Sequence, residues 1–152
     1  MFKKILFCTD FSENSDYAFP YALNLAETYK AKLLIFHVMV EGTFYYRSSP
    51  ESRDEPKDKR IEFGRKEAMD RYAAGFGTFK DYEYLSCEAG EGEVQYEIVQ
   101  TAQKESVKII VMGTHGRTGL THLILGSTAE SVVKNSPCPV LTVRPPKKQT
   151  SG

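Results

Sequence analysis

A glycine-spaced segment in the second half of the chain has the residue types of an anion cradle. Gly113-Thr114-His115-Gly116 is followed, after nine residues, by Gly126-Ser127-Thr128. Glycines let a backbone turn sharply and bring its N–H groups close to a ligand. A helix that begins at Ser127 would add free amides, a positive dipole end and two hydroxyls, all of which suit a phosphate. On spacing alone the glycines also fit plain turns, and the segment matches neither a Walker A loop nor Gly-x-Gly-x-x-Gly.

A second candidate segment, Thr9-Asp10-Phe11-Ser12, follows the first apolar run of the chain. A carboxylate at the end of a strand can accept hydrogen bonds from a ribose or hold a divalent cation beside phosphates. The alternative role for Asp10 is that of a helix cap. His115 has two interpretations as well, a ligand contact inside the glycine segment or a solvent-exposed loop histidine.

The remaining histidines and the cysteines predict no metal site. His37, His115 and His122 do not fall into a metal-ligand spacing, and His37 is expected to be a satisfied, semi-buried side chain. The three cysteines are Cys8, Cys87 and Cys138, widely spaced and without a Cys-x-x-Cys pair. This pattern predicts buried, inert thiols rather than a disulfide framework.

The elements that must position these residues follow from the hydrophobic pattern. The pattern predicts five strands, at Lys3–Thr9, Leu33–Val40, Tyr82–Cys87, Val107–Met112 and Val140–Val143. Helical spacing predicts four helices between them: one after Ser12, with a kink or late start at Pro20; then Lys57–Phe76; then one from Val94; and last Ser127–Lys134, with Ala129, Val132 and Val133 inward. Glu41–Lys57 is expected to be a long loop.

Strands that are mostly apolar throughout and alternate with helices are typical of a parallel sheet covered on both faces. Right-handed crossovers then predict an α/β fold with one doubly wound, five-stranded parallel sheet. Ligands bind such sheets beyond the carboxyl ends of the strands, where the strand order reverses. Residues 1–146 are expected to form a single domain, and residues 147–152 a disordered polar tail.

Composition excludes several classes of partner. The 152 residues hold 20 Lys and Arg against 20 Asp and Glu, so the chain lacks the charge of a polycationic nucleic-acid binder. The longest near-apolar run, Leu33–Val40, is about half of what a bilayer span needs. The amino terminus lacks the apolar stretch of a signal peptide. We therefore expect a cytoplasmic protein that binds neither nucleic acid nor membrane.

Four strings resemble one family. Val111-Met112-Gly113-Thr114-His115-Gly116, with Gly126-Ser127 nine residues later, resembles the Gly-x2-Gly-x9-Gly-Ser/Thr signature of ATP-binding universal stress proteins. Ile5–Glu13 resembles the opening strand and turn of that family. His37-Val38 is similar to the end of its second strand, and Cys138–Val143 to its closing Cys-Pro-Val-Leu-x-Val. The resemblance covers residues 1–146.

The resemblance implies a strand order of 3-2-1-4-5 and an adenine nucleotide, ATP or AMP, bound with Mg²⁺ or Mn²⁺. Asp10 would contact the ribose or the metal, and Val38 and Met112 would line the adenine pocket. The expected binding residues are Thr9, Asp10, Val38, Met112, Gly113, His115, Gly116, Gly126, Ser127 and Thr128. The resemblance also implies a homodimer through the last strand, Val140–Val143.

Three functions follow from these expectations. The first is a nucleotide-binding stress sensor or regulator, in which ATP occupancy changes residues 41–57 and 114–125 and thereby what the dimer binds. The second is a slow ATPase or autophosphorylating protein, for which the chain offers Arg117 and the hydroxyls of Thr114, Thr118, Ser127 and Thr128. The third is a partner-binding dimer without nucleotide.

Overall fold

The computed structural model of the protein describes residues 1–40, 55–116 and 124–146. Strands and helices alternate along these residues. The elements in chain order are β1 (Lys4–Cys8), α1 (Glu13–Tyr29), β2 (Lys32–Val40), α2 (Lys57–Phe76), β3 (Tyr82–Ala89), α3 (Val94–Lys104), β4 (Ile109–Gly113), α4 (Ser127–Asn135) and β5 (Val140–Val143). The loop predicted at Glu41–Lys57 lies outside the described residues up to residue 54, as does the predicted tail at 147–152.

The five strands form one parallel sheet in the order β3-β2-β1-β4-β5, which confirms the predicted fold class and strand order. β1 is the central strand: Ile5 pairs with Leu33 of β2 on one side and with Ile109 of β4 on the other. The strand order reverses at β1, so the carboxyl ends of β1 and β4 meet where such sheets bind ligands.

Side chains alternate across the strands and divide the interior into two cores. Ile5 and Phe7 of β1 face the core under α1 and α2, where Tyr72 is fully buried. Leu6 and Cys8 face the opposite core, under α3 and α4. Helices therefore cover both faces of the sheet, as the apolar strands predicted. No helix among the described residues is long and apolar enough to cross a membrane.

Of the two alternatives expected at Pro20, a kink or a late start of the helix, the late start is wrong. α1 begins at Glu13, and the Ser12 side chain caps it by accepting a hydrogen bond from the Ser15 amide at 3.3 Å. Pro20 lies within the helix on its exposed face. The proline removes the bond to the Asp16 carbonyl, and on this face water can replace that bond, so the helix tolerates it.

Two strand boundaries differ from the prediction by two residues. β4 begins at Ile109 rather than Val107, because the Val107 amide bonds the Ala102 carbonyl at the end of α3, after Ser106 in a left-handed conformation. β3 continues to Ala89, since β2 offers partners as far as Val40.

Val133 was expected to face inward and is instead 47% exposed. The inward face of α4 is made by Ala129 and Val132, with Leu125 packed against the same core. Val133 lies one residue, about 100°, past Val132, at the edge of that face.

Candidate functional site

A cavity of about 240 Å³ lies beyond the carboxyl ends of β1 and β4. All ten residues proposed from the sequence line it, from Thr9 and Asp10 to Ser127 and Thr128. Among the described residues, the cavity is also lined by Cys8, Ser15, Phe36, Val94, Ile98, Thr114 and Ala129. The structure therefore brings the two candidate segments, about a hundred positions apart in the sequence, into one site.

Asp10 is held by the first turn of α1. Its Oδ1 accepts hydrogen bonds from the Ser12 amide at 2.9 Å and from the Ser15 hydroxyl at 3.0 Å. The residue that caps α1 is Ser12. Asp10 therefore supports the cap from the preceding turn while its side chain lines the cavity, a combination that the two interpretations of the sequence did not include.

Phe11 bends the chain between Asp10 and the helix. Its φ is 62°, a left-handed conformation that costs a non-glycine residue about 1–3 kcal/mol and persists only where its surroundings fix it. The Phe11 amide donates to Thr9 Oγ1 at 2.9 Å, and the ring packs against His37 with centroids 4.4 Å apart. These contacts fix the direction in which Asp10 leaves the sheet.

Thr9 is buried, and its hydrogen bonds attach this turn to other parts of the protein. Its amide donates to the Phe36 carbonyl at 2.9 Å, and its carbonyl lies 2.9 Å from His37 Nδ1. Because a carbonyl only accepts, Nδ1 carries the proton, so His37 is hydrogen-bonded as the sequence predicts, but it is buried rather than semi-buried. The Thr9 hydroxyl contacts the Tyr72 hydroxyl at 2.6 Å. Thr9 thus lines the cavity while its polar atoms bond other parts of the protein.

Each glycine of the signature makes room for a neighbour. A Cβ on Gly113 would lie 3.0 Å from the Asn14 carbonyl oxygen, so β4 can approach the first turn of α1 only without a side chain. A Cβ on Gly116 would lie 2.9 Å from Asp10 Oδ2. Gly126 comes close to the backbone of Thr114, and its amide bonds the Thr114 carbonyl at 2.7 Å.

The amino end of α4 faces the cavity through Ser127, Thr128 and Ala129. The first amide of the helix with an acceptor in the helix is that of Glu130, which bonds the Gly126 carbonyl. The three preceding amides have no such acceptor, and the N-cap residue, Gly126, has no side chain to cap the helix. Helix starts of this kind attract anions because their amides and dipole present positive charge.

Apolar side chains form another part of the cavity wall. Val38 and Met112, which the family resemblance placed beside an adenine, are joined by Phe36 from β2 and by Val94 and Ile98 from α3. The helical spacing of Val94 and Ile98 predicts an amphipathic helix, but not that these two side chains reach the site.

Of the three thiols predicted to be buried, Cys8 is buried, whereas Cys87 and Cys138 are half-buried. Burial raises the pKa of the Cys8 thiol far above its ordinary value. Burial, reinforced by Glu97, raises the pKa of half-buried Cys87 to about 11. Within the described ranges, no group of three or more His, Cys, Asp or Glu residues is arranged to hold a metal ion.

A polar cluster behind the site joins α1 to α2. Arg71 donates to Asp16 at 2.7 Å and to Glu67 at 2.9 Å, and the Glu67 side chain is only 2% exposed. The Tyr72 hydroxyl donates to the second oxygen of Asp16 at 2.8 Å. Since Tyr72 also contacts Thr9, this cluster reaches the segment Thr9–Ser12, which we call the Asp10 turn.

Comparison with known proteins gives a consistent result. Residues 1–144 match the universal stress protein family. Universal stress protein MJ0531 of Methanocaldococcus jannaschii is 35% identical over 151 residues, covering 98% of this chain and 86% of that protein. Universal stress protein YxiE of Bacillus subtilis is 32% identical and covers 95% of this chain and 100% of that protein.

The solved structures agree with the sequence relatives. That of M. jannaschii MJ0577 has a TM-score of 0.72 and 32% identity, covering 97% of this chain and 99% of that one. Universal stress protein UspA of Lactobacillus plantarum shares the fold, with a TM-score of 0.72 at 24% identity over 94% of this chain and 98% of that one. With a family match over nearly its whole length, the chain belongs to the universal stress protein family.

Proposed function

We propose that this protein binds an adenine nucleotide, with ATP as the leading candidate, and acts as a stress-response regulator that reports nucleotide occupancy. The observation that supports this proposal is the composition of one cavity. Apolar side chains, a carboxylate and the uncapped amino end of a helix line the same space. A nucleotide has three matching parts: an apolar base, a hydroxyl-bearing ribose and anionic phosphates.

Each part of the nucleotide has a proposed partner. Val38 and Met112 flank the base, and Asp10 accepts hydrogen bonds from the ribose or holds Mg²⁺ or Mn²⁺ beside the phosphates. The phosphates occupy the amino end of α4, where Ser127 and Thr128 offer amides and hydroxyls. The remaining proposed contacts, which complete this set, come from Thr9, Gly113, His115, Gly116 and Gly126.

Two solved structures with this fold contain adenine nucleotides. One is a universal stress protein in complex with cAMP, at 24% identity, and the other is the Archaeoglobus fulgidus protein in complex with dAMP, at 16%. At these identities the likeness concerns the fold. The assignment of a nucleotide to this chain therefore depends on the residues that line its own cavity.

The first experiment identifies the ligand. Freshly purified protein is denatured, and the released small molecules are separated and identified by mass spectrometry. Stripped protein is then titrated with Mg-ATP, AMP and cAMP by calorimetry. We expect a bound or bindable adenine nucleotide. Protein that releases none, and whose melting temperature does not move with millimolar Mg-ATP, would contradict the proposal and favour the partner-binding dimer.

A matched pair of variants links binding to the cavity. A side chain on Gly126 would meet the Thr114 carbonyl at 3.3 Å and fill space at the start of α4, so Gly126→Val should abolish binding. A side chain on Gly90 would meet only the side chain of Glu93 within 4 Å, so Gly90→Val is the control. If both variants bind Mg-ATP like the wild type, the nucleotide occupies another part of the protein.

Turnover is measured on the same samples. ATP hydrolysis or phosphate incorporation that survives purification and disappears in Ser127→Ala would establish the enzyme alternative. Binding without turnover supports a regulator.

For this function we propose a cytoplasmic location, where adenine nucleotides are available. A fluorescent fusion expressed at native level checks that location.

The dimer is the remaining part of the proposal. β5 lies at the edge of the sheet, with β4 as its partner among the described strands, and its residues 140–143 are apolar apart from Thr142. An open apolar edge favours pairing with a second copy. The carbonyls of Pro139 and Val143 accept from β4, so in this parallel pair the Leu141 amide faces β4 and the Thr142 amide faces the open side. Sedimentation velocity should show a dimer for the wild type and a monomer for Thr142→Pro, which cannot donate a backbone hydrogen bond from that open side. A wild-type monomer with and without Mg-ATP would contradict pairing through β5.

A further inference from the structure

We propose that Tyr72 of α2 is a positioning residue for the nucleotide site, because its hydroxyl ties α2 to the turn that presents Asp10. This inference rests on the proposed nucleotide binding and extends it to a residue on the opposite side of the turn. Tyr72 does not line the cavity that holds Asp10. Its influence would pass through Thr9 and the backbone of Phe11.

The contacts form a continuous series from α2 to the cavity. The Tyr72 hydroxyl lies 2.8 Å from Asp16 Oδ1 and 2.6 Å from Thr9 Oγ1. Thr9 Oγ1 accepts the Phe11 amide at 2.9 Å. Phe11 is the residue whose left-handed conformation turns the chain directly after Asp10.

The chemistry of the groups fixes the direction of these hydrogen bonds. The Tyr72 hydroxyl has one proton and donates it to Asp16 Oδ1. Burial raises the pKa of the Tyr72 hydroxyl far above its ordinary value, so this proton stays in place at neutral pH. Thr9 must then donate to the Tyr72 oxygen, which leaves the lone pairs of Thr9 Oγ1 facing the Phe11 amide. Asp16 thereby orients the hydroxyl that holds the turn.

The α2 end of the series is itself fixed. Arg71 bonds both Asp16 and the buried Glu67, and its guanidinium lies 5.7 Å from the centre of the Phe11 ring. The Tyr72 ring packs edge-on against Phe7 at 5.3 Å, a contact that does not involve the hydroxyl. Tyr72→Phe therefore keeps the packing and removes one link between α2 and the Asp10 turn.

The test compares two tyrosines of the same core. Tyr72→Phe and Tyr84→Phe each remove one hydroxyl from a buried ring, but Tyr84 lies on β3, two strands away from β1. Titration with Mg-ATP should give a dissociation constant about five-fold weaker for Tyr72→Phe, because Asp10 is then held less firmly in the position that meets the nucleotide. Tyr84→Phe should bind like the wild type, whatever its melting temperature.

A second readout does not require nucleotide. In amide NMR spectra of the nucleotide-free protein, Tyr72→Phe should shift the signals of Asp10, Phe11 and Ser12, and Tyr84→Phe should leave them in place. In the double variant Tyr72→Phe, Asp10→Asn, the affinity loss should be smaller than the product of the two single losses, since the tyrosine would act through that carboxylate.

The outcomes separate this inference from the proposed function. A wild type that binds no adenine nucleotide would overturn both. A wild type that binds, with Tyr72→Phe equal to it in affinity and in the Asp10 signals, would overturn the positioning role alone. Equal weakening by both tyrosine variants would overturn it too, because that result reports a general loss of core stability.

Discussion

Replacing Gly116 by alanine separates the orientation of Asp10 from the stability of the fold. An alanine Cβ at this position would lie 2.9 Å from Asp10 Oδ2, closer than ordinary contact. The obstructing atom is the end of a side chain and not backbone, so the carboxylate must move by about half an ångström to restore a normal van der Waals distance. The backbone does not have to move.

The size of the effect follows from what holds Asp10. Its Oδ1 accepts bonds from the Ser12 amide and the Ser15 hydroxyl, and rotation of the carboxylate lengthens both. A hydrogen bond of this kind contributes about 1 kcal/mol net. These two bonds exist with or without nucleotide, so lengthening them lowers the free energy of unfolding. Weakening the contact from Asp10 to the nucleotide by about 1–2 kcal/mol corresponds to roughly a 5- to 30-fold weaker dissociation constant for Mg-ATP. The free energy of unfolding should fall by no more than about 2 kcal/mol.

The assay is calorimetric titration of Mg-ATP into wild type, Gly116→Ala and Gly90→Ala, with urea unfolding of each. Gly90→Ala meets only the Glu93 side chain and should match the wild type in both measurements. A folded Gly116→Ala protein that binds Mg-ATP with wild-type affinity would refute the role given to Asp10. A large loss of stability would instead refute the argument that only a side chain has to move.

Three further predictions concern the surroundings of the site. Gly113→Ala should lower the free energy of unfolding by about 1–3 kcal/mol in urea, because its Cβ would press on α1 backbone, and unchanged stability would contradict that contact. Arg71→Met should lower the free energy of unfolding by about 3 kcal/mol, because it leaves the buried Glu67 carboxylate without its cation. Adding Glu67→Gln should recover most of that stability. If it recovers none, the loss comes from packing and not from the unpaired charge. Cys87, with a pKa of about 11, should be alkylated at pH 8 about 100-fold more slowly than a thiol of pKa 9.0. Its alkylation rate should rise tenfold per pH unit up to about pH 11. Mass spectrometry of peptides measures both rates, and a flat pH profile would contradict the raised pKa.

The architecture could be predicted from the sequence because its signals are local. The apolar runs of β1, β2 and β4 are continuous, and their alternation with helical patterns leaves few arrangements of a parallel sheet. The errors lie at the ends of elements. Val107 is apolar like its strand neighbours, but its amide completes the end of α3, and no pattern in the sequence reveals which partner an amide takes.

The site was predictable where it depends on strand ends and glycines, and not where it depends on contacts between distant residues. Asp10 lies just after β1 and Gly113 ends β4. The strand order reverses at these two neighbouring strands, so the topology alone predicts that the two residues lie close together. The contact between Thr9 and Tyr72 joins residues 63 positions apart through two hydroxyls. Tyr72 has the spacing of an ordinary core residue on α2, and the pattern that placed it in the core does not distinguish a tyrosine from a phenylalanine.

The pairing of β1 with β4 determines when the site can first exist. β1 is the first strand to leave the ribosome, and its second neighbour in the sheet begins at Ile109, most of the chain later. Until β4 docks, one side of β1 is an open edge, and the cavity lacks the wall that Gly113, Gly126 and the start of α4 supply. A chain that is incomplete or misfolded in its last third therefore lacks the complete cavity. If the cavity binds the proposed nucleotide, binding selects completed molecules and, by mass action, stabilises them.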